Sequence, residues 1–228
     1  MRVLIACEFS GIVRDAFIRR GHDAWSCDLL PTESCRSGNH IIAEHNLHLI
    51  DIAAGGQFYG YDIRTGRAGI RSIKWELMIA HPPCTRLANS GVRWLHSPPR
   101  GKTVKQMWAE LEHAALFYKA LRDAPIPRKA IENPTMHKYA KVLIAPGRRQ
   151  IIQPWQFGDP YFKATGLELI NLPDLVPTKV LEVPKKGTKE HKEWSAVHRA
   201  PPGPDRWKDR SRTFHGIADA FADQWGAL

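Results

Sequence analysis

Short apolar runs alternate with amphipathic stretches through the first half of the chain, and this alternation restricts the fold more than any other feature. The run at 2–7 predicts a strand. Residues 11–20 place Ile12, Val13, Ala16 and Phe17 on one helical face, and Gly21 follows where a left-handed C-cap is wanted. Further strands are predicted over 22–27, 47–52, 76–80 and 129–131. Residues 103–123 carry Met107, Leu111, Ala114, Ala115, Tyr118 and Leu121 at helical spacing. Such βαβ alternation predicts an α/β fold, a mostly parallel sheet with helices on both faces. Beyond it, 55–72 reads as a Gly-rich loop or irregular hairpin, 150–172 as strands, and 172–204 as Pro- and Lys-rich with weak periodicity. The run Pro201-Pro202-Gly203-Pro204 reads as a loop leading to a final helix at 214–225. There is no internal repeat.

With 228 residues, 43% of them apolar, the chain can bury one α/β domain and is too short for two large ones. No stretch approaches the roughly 20 apolar residues needed to cross a bilayer. Met1-Arg2-Val3-Leu4-Ile5-Ala6 is too short for the core of a signal peptide and is soon followed by Glu8 and Asp15, so it reads as a buried strand. Cys7, Cys27, Cys35 and Cys84 show no zinc spacing, which fits reduced thiols and a cytoplasmic protein. Cys7 and Cys27 read as core fillers in strands. His40, His45 and His48 lack a metal pattern and read as surface or loop histidines, so no metal is expected.

Charge points outward. A formal net charge of +10 suggests a polyanionic partner. The excess is clustered: Arg86, Arg93, Arg100, Lys102 and Lys105 occur without an acid among them, as do Lys141, Arg148 and Arg149, and residues 179–212 carry a net +5. A single charge run is ordinarily a solvated face. Three runs flanking one set of motifs favour nucleic acid.

Ligands of an open α/β sheet sit at the carboxyl ends of its strands. Each predicted strand ends on chemistry. Glu8-Phe9-Ser10-Gly11 follows the first, Asp28 the second, Asp51 the third, His81-Pro82-Pro83-Cys84 the fourth and Glu132-Asn133-Pro134 the fifth.

Together these residues resemble the DNA cytosine-5 methyltransferase family. Phe9-Ser10-Gly11 is similar to its F-x-G cofactor turn, and Val13 stands where a second glycine is frequent. Pro82-Pro83-Cys84 resembles its Pro-Cys loop and Ile131-Glu132-Asn133-Pro134 its Glu-Asn motif. The later glutamine-and-two-arginines motif is matched loosely, with Tyr161, Lys163 and Thr165 at its three positions, and Ser211-Arg212-Thr213-Phe214-His215-Gly216 resembles the last cofactor-facing motif without its Gly-Asn pair. The resemblance implies a Rossmann-like S-adenosylmethionine-dependent enzyme acting on DNA. It implies Cys84, Glu132 and Lys163 as the catalytic set, and Phe9, Ser10, Gly11, Asp28, Leu29, Asp51, Pro83 and Phe214 around S-adenosylmethionine. Arg86, Arg93, Lys102, Arg148, Arg149 and Thr165 would contact DNA. It divides the chain into a catalytic domain at 1–172, a short basic target-recognition segment at 173–210 and a C-terminal helix at 211–228 returning to the catalytic domain. A reduced recognition region of this kind suits a phage or mobile-element enzyme.

The chemistry explains the residue types. A thiolate adding at C6 of cytosine breaks aromaticity and makes C5 nucleophilic toward a methyl sulfonium, and a cysteine suits that step when nearby positive charge lowers its pKa. Arg86 and the loop after it are candidates for that charge. Glu132 would hold the N3 and N4 edge. The target must leave the base stack, at a cost of a few kcal/mol. Amino-methyltransferases carry an aromatic residue where Cys84 stands, which favours carbon as the acceptor. Trp94 is a candidate to stack beside flipped DNA. Lys185, Lys186, Lys189 and Lys192 fit phosphate contacts, which give salt-sensitive binding without sequence information. Other readings remain open: a non-catalytic DNA-binding module, a methyltransferase for RNA or free nucleotides, and a modified donor such as carboxylated S-adenosylmethionine. A nicotinamide oxidoreductase is disfavoured, because the first turn lacks G-x-G-x-x-G.

Overall fold

A computed structural model describes residues 1–228 other than Ser37, Ala200, Pro202, Pro204 and Asp205, together with the backbone but not the side chain of His198. Strands β1 (Arg2–Ala6), β2 (Asp23–Asp28) and β3 (His40–Ile42) run parallel on one side of the sheet. After a separate antiparallel hairpin, β4 (Gln57–Asp62) and β5 (Arg67–Ser72), the chain returns as β6 (Leu77–Ala80) beside β1 and continues as β7 (Arg128–Asn133). Two last strands, β8 (Arg149–Ile152) and β9 (Thr165–Ile170), complete the order β3-β2-β1-β6-β7-β9-β8, in which β9 alone runs against its neighbours. This is a Rossmann-like, mostly parallel sheet, and its order reverses between β1 and β6. Crevices for ligands form at such a switch point.

Alternation along the strands builds two cores. Leu4, Ala6, Met78, Ala80 and Ile131 face α2 (Asn46–Ala53), α3 (Val104–Asp123) and α4 (Lys138–Ile144). Val3, Ile5, Leu77, Ile79 and Ala130 face α1 (Ile12–Arg19) and α8 (His215–Gln224). Strands buried on both sides are near-continuously apolar, as parallel sheets require. The helix at 103–123 begins with a reciprocal cap. The Thr103 hydroxyl accepts from the Gln106 N–H at 3.2 Å, and the Gln106 side-chain oxygen accepts from the Thr103 N–H at 2.8 Å. Gly21 has φ +82°, the left-handed geometry expected of it.

Three expectations are corrected. Residues 47–52 form α2, not a strand. Leu49, Ile52 and Ala53 are buried at helical spacing, and the His45 side chain caps the start by accepting from the His48 N–H at 3.1 Å. The third strand is instead His40–Ile42, too short to stand out as an apolar run, and His40 is bonded within the fold, Nδ1 to the Ser26 hydroxyl at 2.7 Å and Nε2 to the Leu30 carbonyl at 2.9 Å. Cys7 lies just past β1 with φ +59°, a left-handed turn residue and not a strand filler. The segment at 55–72 contains a regular hairpin with six paired positions.

Between β9 and α8 the chain forms short helices α5 (Lys189–Trp194), α6 (Ala196–Arg199) and α7 (Arg206–Ser211). The proline run at 201–204 falls partly outside the described residues. Among the described residues, no helix is long and apolar enough to cross a membrane.

Candidate active site

The first half of the site forms where β1 turns into α1. Glu8 is buried, and its carboxylate accepts from the Val13 N–H at 2.7 Å and the Arg14 N–H at 3.2 Å. The N-terminal amides of α1 are therefore satisfied by the chain's own carboxylate. Burial raises the Glu8 carboxyl above its ordinary range, against the opposing pull of His81, these amides and Arg14. Ser10 donates its hydroxyl proton to Glu8 at 3.2 Å. Gly11 has φ +73°, and a Cβ there would lie 2.7 Å from the Ser34 Cβ. Phe9 is buried, with the Trp207 ring against its edge at 5.8 Å.

Asp28, at the end of β2, accepts from the Leu30 N–H at 3.0 Å. Its carboxyl is also raised by burial, with backbone N–H groups and His81 opposing. Leu29 beside it is exposed. Asp51 does not join this group: it is exposed on α2, because the third strand ends ten residues earlier than the apolar pattern suggested, and Glu44 is the acid just beyond β3.

The second half lies across the switch point. The loop after β6 is closed by the Cys84 carbonyl, which accepts from the N–H groups of Leu87 and Ala88 at 2.9 Å each. Gly91 packs directly beneath it, since a Cβ there would stand 2.1 Å from the Thr85 carbonyl oxygen. Glu132 lies in the next strand, β7. Strand alternation sets it on the α8 side, where His81, Glu132, Lys163, Thr165, Thr213, Phe214, Ile217 and Phe221 line a narrow cleft. Lys163 donates from Nζ to the Arg212 carbonyl at 3.0 Å and lies 5.9 Å from the centre of the Phe214 ring. Thr165 is buried in the cleft wall, its hydroxyl donating to the Lys163 carbonyl at 3.1 Å, and so is no surface contact.

Electrostatics tie these groups together. Burial pushes the Cys84 thiol up, and the Glu132 charge pushes it further, while Lys163 and Arg210 pull it down. Burial would also raise Glu132, but the His81 imidazole, Lys163 and Arg149 outweigh it and hold the carboxyl below its ordinary range. Arg86 is not the charge beside the thiol. Its guanidinium donates to Glu110 at 2.7 Å, and Lys102 donates to the same carboxylate at 2.5 Å. An acid one helix away thus opposes a run that looks unopposed in sequence.

The remaining basic residues divide. Arg148 is bound to Asp174 at 2.5 Å and to the Leu172 carbonyl at 2.7 Å, and Arg149 donates to the Asn133 carbonyl at 2.7 Å, bracing β8 against the strand that carries Glu132. Arg93 is exposed, 4.2 Å over the Trp94 ring, and Trp94 is partly buried against the core. Lys185, Lys186, Lys189 and Lys192 are exposed. Pro83 is exposed beside the thiol. Sequence reasoning gives no role to His81 or Arg210. The signal for the first was its place directly after an apolar strand, beside two prolines; the second had none.

No family model matches the sequence, and no curated protein matches it. Among solved structures the chain is similar to a protein described as a candidate DNA modification methyltransferase encoded within a prophage (E. coli), with a TM-score of 0.44 and 12% identity. The match covers 79% of this chain and 52% of that one, so this chain spans about half of that protein's length. A likeness at this level assigns no activity to this chain.

Proposed function

We propose that this chain is a methyltransferase that uses S-adenosylmethionine to methylate C5 of cytosine in DNA, through a covalent bond from Cys84 to C6 of a flipped base. The observation that carries this reading is the convergence of Cys84, Glu132 and Lys163: the carboxylate in β7 raises the thiol that follows the neighbouring β6, and one lysine acts on both. A basic chain of net +10 supplies the attraction to a polyanion.

The donor set fits S-adenosylmethionine better than a dinucleotide. Pyrophosphate binding needs free amides at a helix N-terminus, and here Glu8 takes two of them. Carboxylates at the ends of β1 and β2 instead suit a cationic sulfonium and a ribose diol. Phe9, Ser10, Gly11, Asp28, Leu29, Pro83 and Phe214 would hold the group, which supplies an electrophilic methyl.

Cys84 is a protonated thiol at rest, because burial and Glu132 both oppose its ionisation. When the N3 and N4 edge of cytosine binds Glu132, that carboxylate is compensated and the penalty on the thiolate falls, leaving Lys163 and Arg210 to favour it. Sγ then adds to C6. Glu132 holds the base edge during the addition, and loss of the C5 proton with cleavage of the S–C6 bond restores the ring. Acid–base help of this kind is worth about 10²–10⁴-fold.

Duplex DNA containing 5-fluorocytosine should trap the full-length protein covalently in the presence of S-adenosylmethionine, because the fluorine cannot leave as a proton does. Cys84→Ala should form no complex, and Glu132→Gln should lose about 10²–10⁴-fold in rate. A wild-type protein that behaves like Cys84→Ala rejects the mechanism. Methyl incorporation compared across duplex DNA, RNA and dCMP identifies the substrate class.

A further inference from the structure

His81 has no part in the chemistry described so far. Its N–H donates to the Ala6 carbonyl at 2.9 Å, extending the pairing of β6 with β1 by one residue. On the other side Ala80 is level with Ile131, so the next step of the register sets His81 beside Glu132. Pro82 follows and favours extended backbone at His81. Sheet geometry thus delivers the imidazole to the carboxylate, with Nδ1 3.5 Å from Oε2 and 8% of the side chain exposed. That separation is too long for a settled hydrogen bond. Both ring nitrogens are buried without a hydrogen-bond partner, which native interiors rarely tolerate without a reason.

The groups acting with His81 come from every strand end at the switch point: Glu8 after β1, Asp28 at the end of β2, and Glu132 in β7. Lys163 is a second cation acting on Glu132, and Cys84 shares that carboxylate's field. Glu132 held as a carboxylate can accept from the N4 amino group but has no proton to give to N3. A ring nitrogen of the neighbouring His81 can carry one.

We propose that His81 is a positioning residue for Glu132, aiming its carboxyl group at the base edge and passing to it the proton that N3 takes up. The inference rests on the C5 reading of the site. As the Sγ–C6 bond forms, the C5=C6 pair moves to C5=C4 and the C4=N3 pair is captured as N3–H. That proton passes from the His81 ring to the Glu132 carboxylate and from there to N3. When S–C6 breaks and the C5 proton leaves to water, the N3 proton returns by the same route.

The test uses His81→Gln and His81→Asn in the full chain. Melting temperature should stay close to wild type, while the single-turnover methyl-transfer rate at saturating S-adenosylmethionine falls roughly 100-fold. Wild type should show a rate that rises with pH as the thiol ionises and falls again at higher pH as the proton supply to N3 is lost. Both variants should lose the alkaline fall and keep the rise. A variant with the wild-type rate, or a slower one with the wild-type pH profile, makes His81 a packing residue and overturns the proposal. A second measurement needs no variant of His81 to fold: the carboxyl ¹³C resonance of Glu132 in wild type, assigned with Glu132→Gln, should carry an inflection that tracks the imidazole titration. Its absence while the 5-fluorocytosine adduct still forms sinks the role of His81 alone. Its presence in a chain that never forms the adduct sinks the C5 reading, and proton supply with it.

Discussion

At Cys84 burial and charge pull in opposite directions, and the balance can be read chemically. Burial and Glu132 raise the thiol, Lys163 and Arg210 lower it, and the net shift is upward. Alkylation of Cys84 by iodoacetamide in the free protein should therefore be slow at neutral pH. It should accelerate through a midpoint above that of a free cysteine, about 8.5. Reactivity is present above the raised pKa and disappears as the pH falls through it. Glu132→Gln should speed alkylation and Lys163→Met should slow it, measured by mass spectrometry over time. Identical rates in all three proteins would disconnect the cleft. Arg86, although it follows the thiol closely in sequence, takes no part in this balance, because Glu110 holds its guanidinium.

Among the elements, α8 does most to shape the cleft. Its Ile217 and Phe221, with Phe214 just before it, line the wall opposite Glu132. Phe221 stacks on the fully buried Trp225 at 4.8 Å, and the Trp225 indole donates to the Pro173 carbonyl at 3.2 Å. Trp225→Ala removes the ring and leaves a cavity, so it should cost about 3–5 kcal/mol, and thermal unfolding should shift downward by on the order of 10 °C. A shift of a degree or two would mean that α8 docks independently of this ring. The loop carrying Lys163 is held from two sides. The Phe162 N–H donates to the Trp194 carbonyl at 2.9 Å, and the Leu181 N–H to the Trp155 carbonyl at 2.9 Å. Anything that grips the basic segment is thereby linked to the lysine that acts on the thiol.

On the scale of the whole molecule, Lys185, Lys186, Lys189 and Lys192 are all exposed, with Lys189 3.8 Å from Glu193 one turn along α5. We propose residues 173–210 as the DNA-contact segment. Neutralising all four lysines should reduce the slope of log K against log salt by about 0.9 for each phosphate they neutralise in the wild-type complex, with unrelated duplexes weakened equally in a fluorescence-anisotropy titration. Weakening confined to one sequence would make these lysines base readers instead. The order of the strand-end residues was legible in the chain because it is local: short apolar runs, a helix with its own cap at 103–123, and polar residues where each run stops. Asp51 was misplaced because Leu47-His48-Leu49-Ile50-Asp51-Ile52 is apolar enough for either period, and packing chose the helix. Composition and spacing were sufficient for the α/β class and the parallel core, and the family resemblance for the candidates Cys84 and Glu132. The register that sets His81 beside Glu132, the acid that takes Arg86 and Lys102, and the upward shift of the thiol were set by folding. Each depends on groups from separate elements meeting in the fold, where distance in space, not along the chain, fixes the energy.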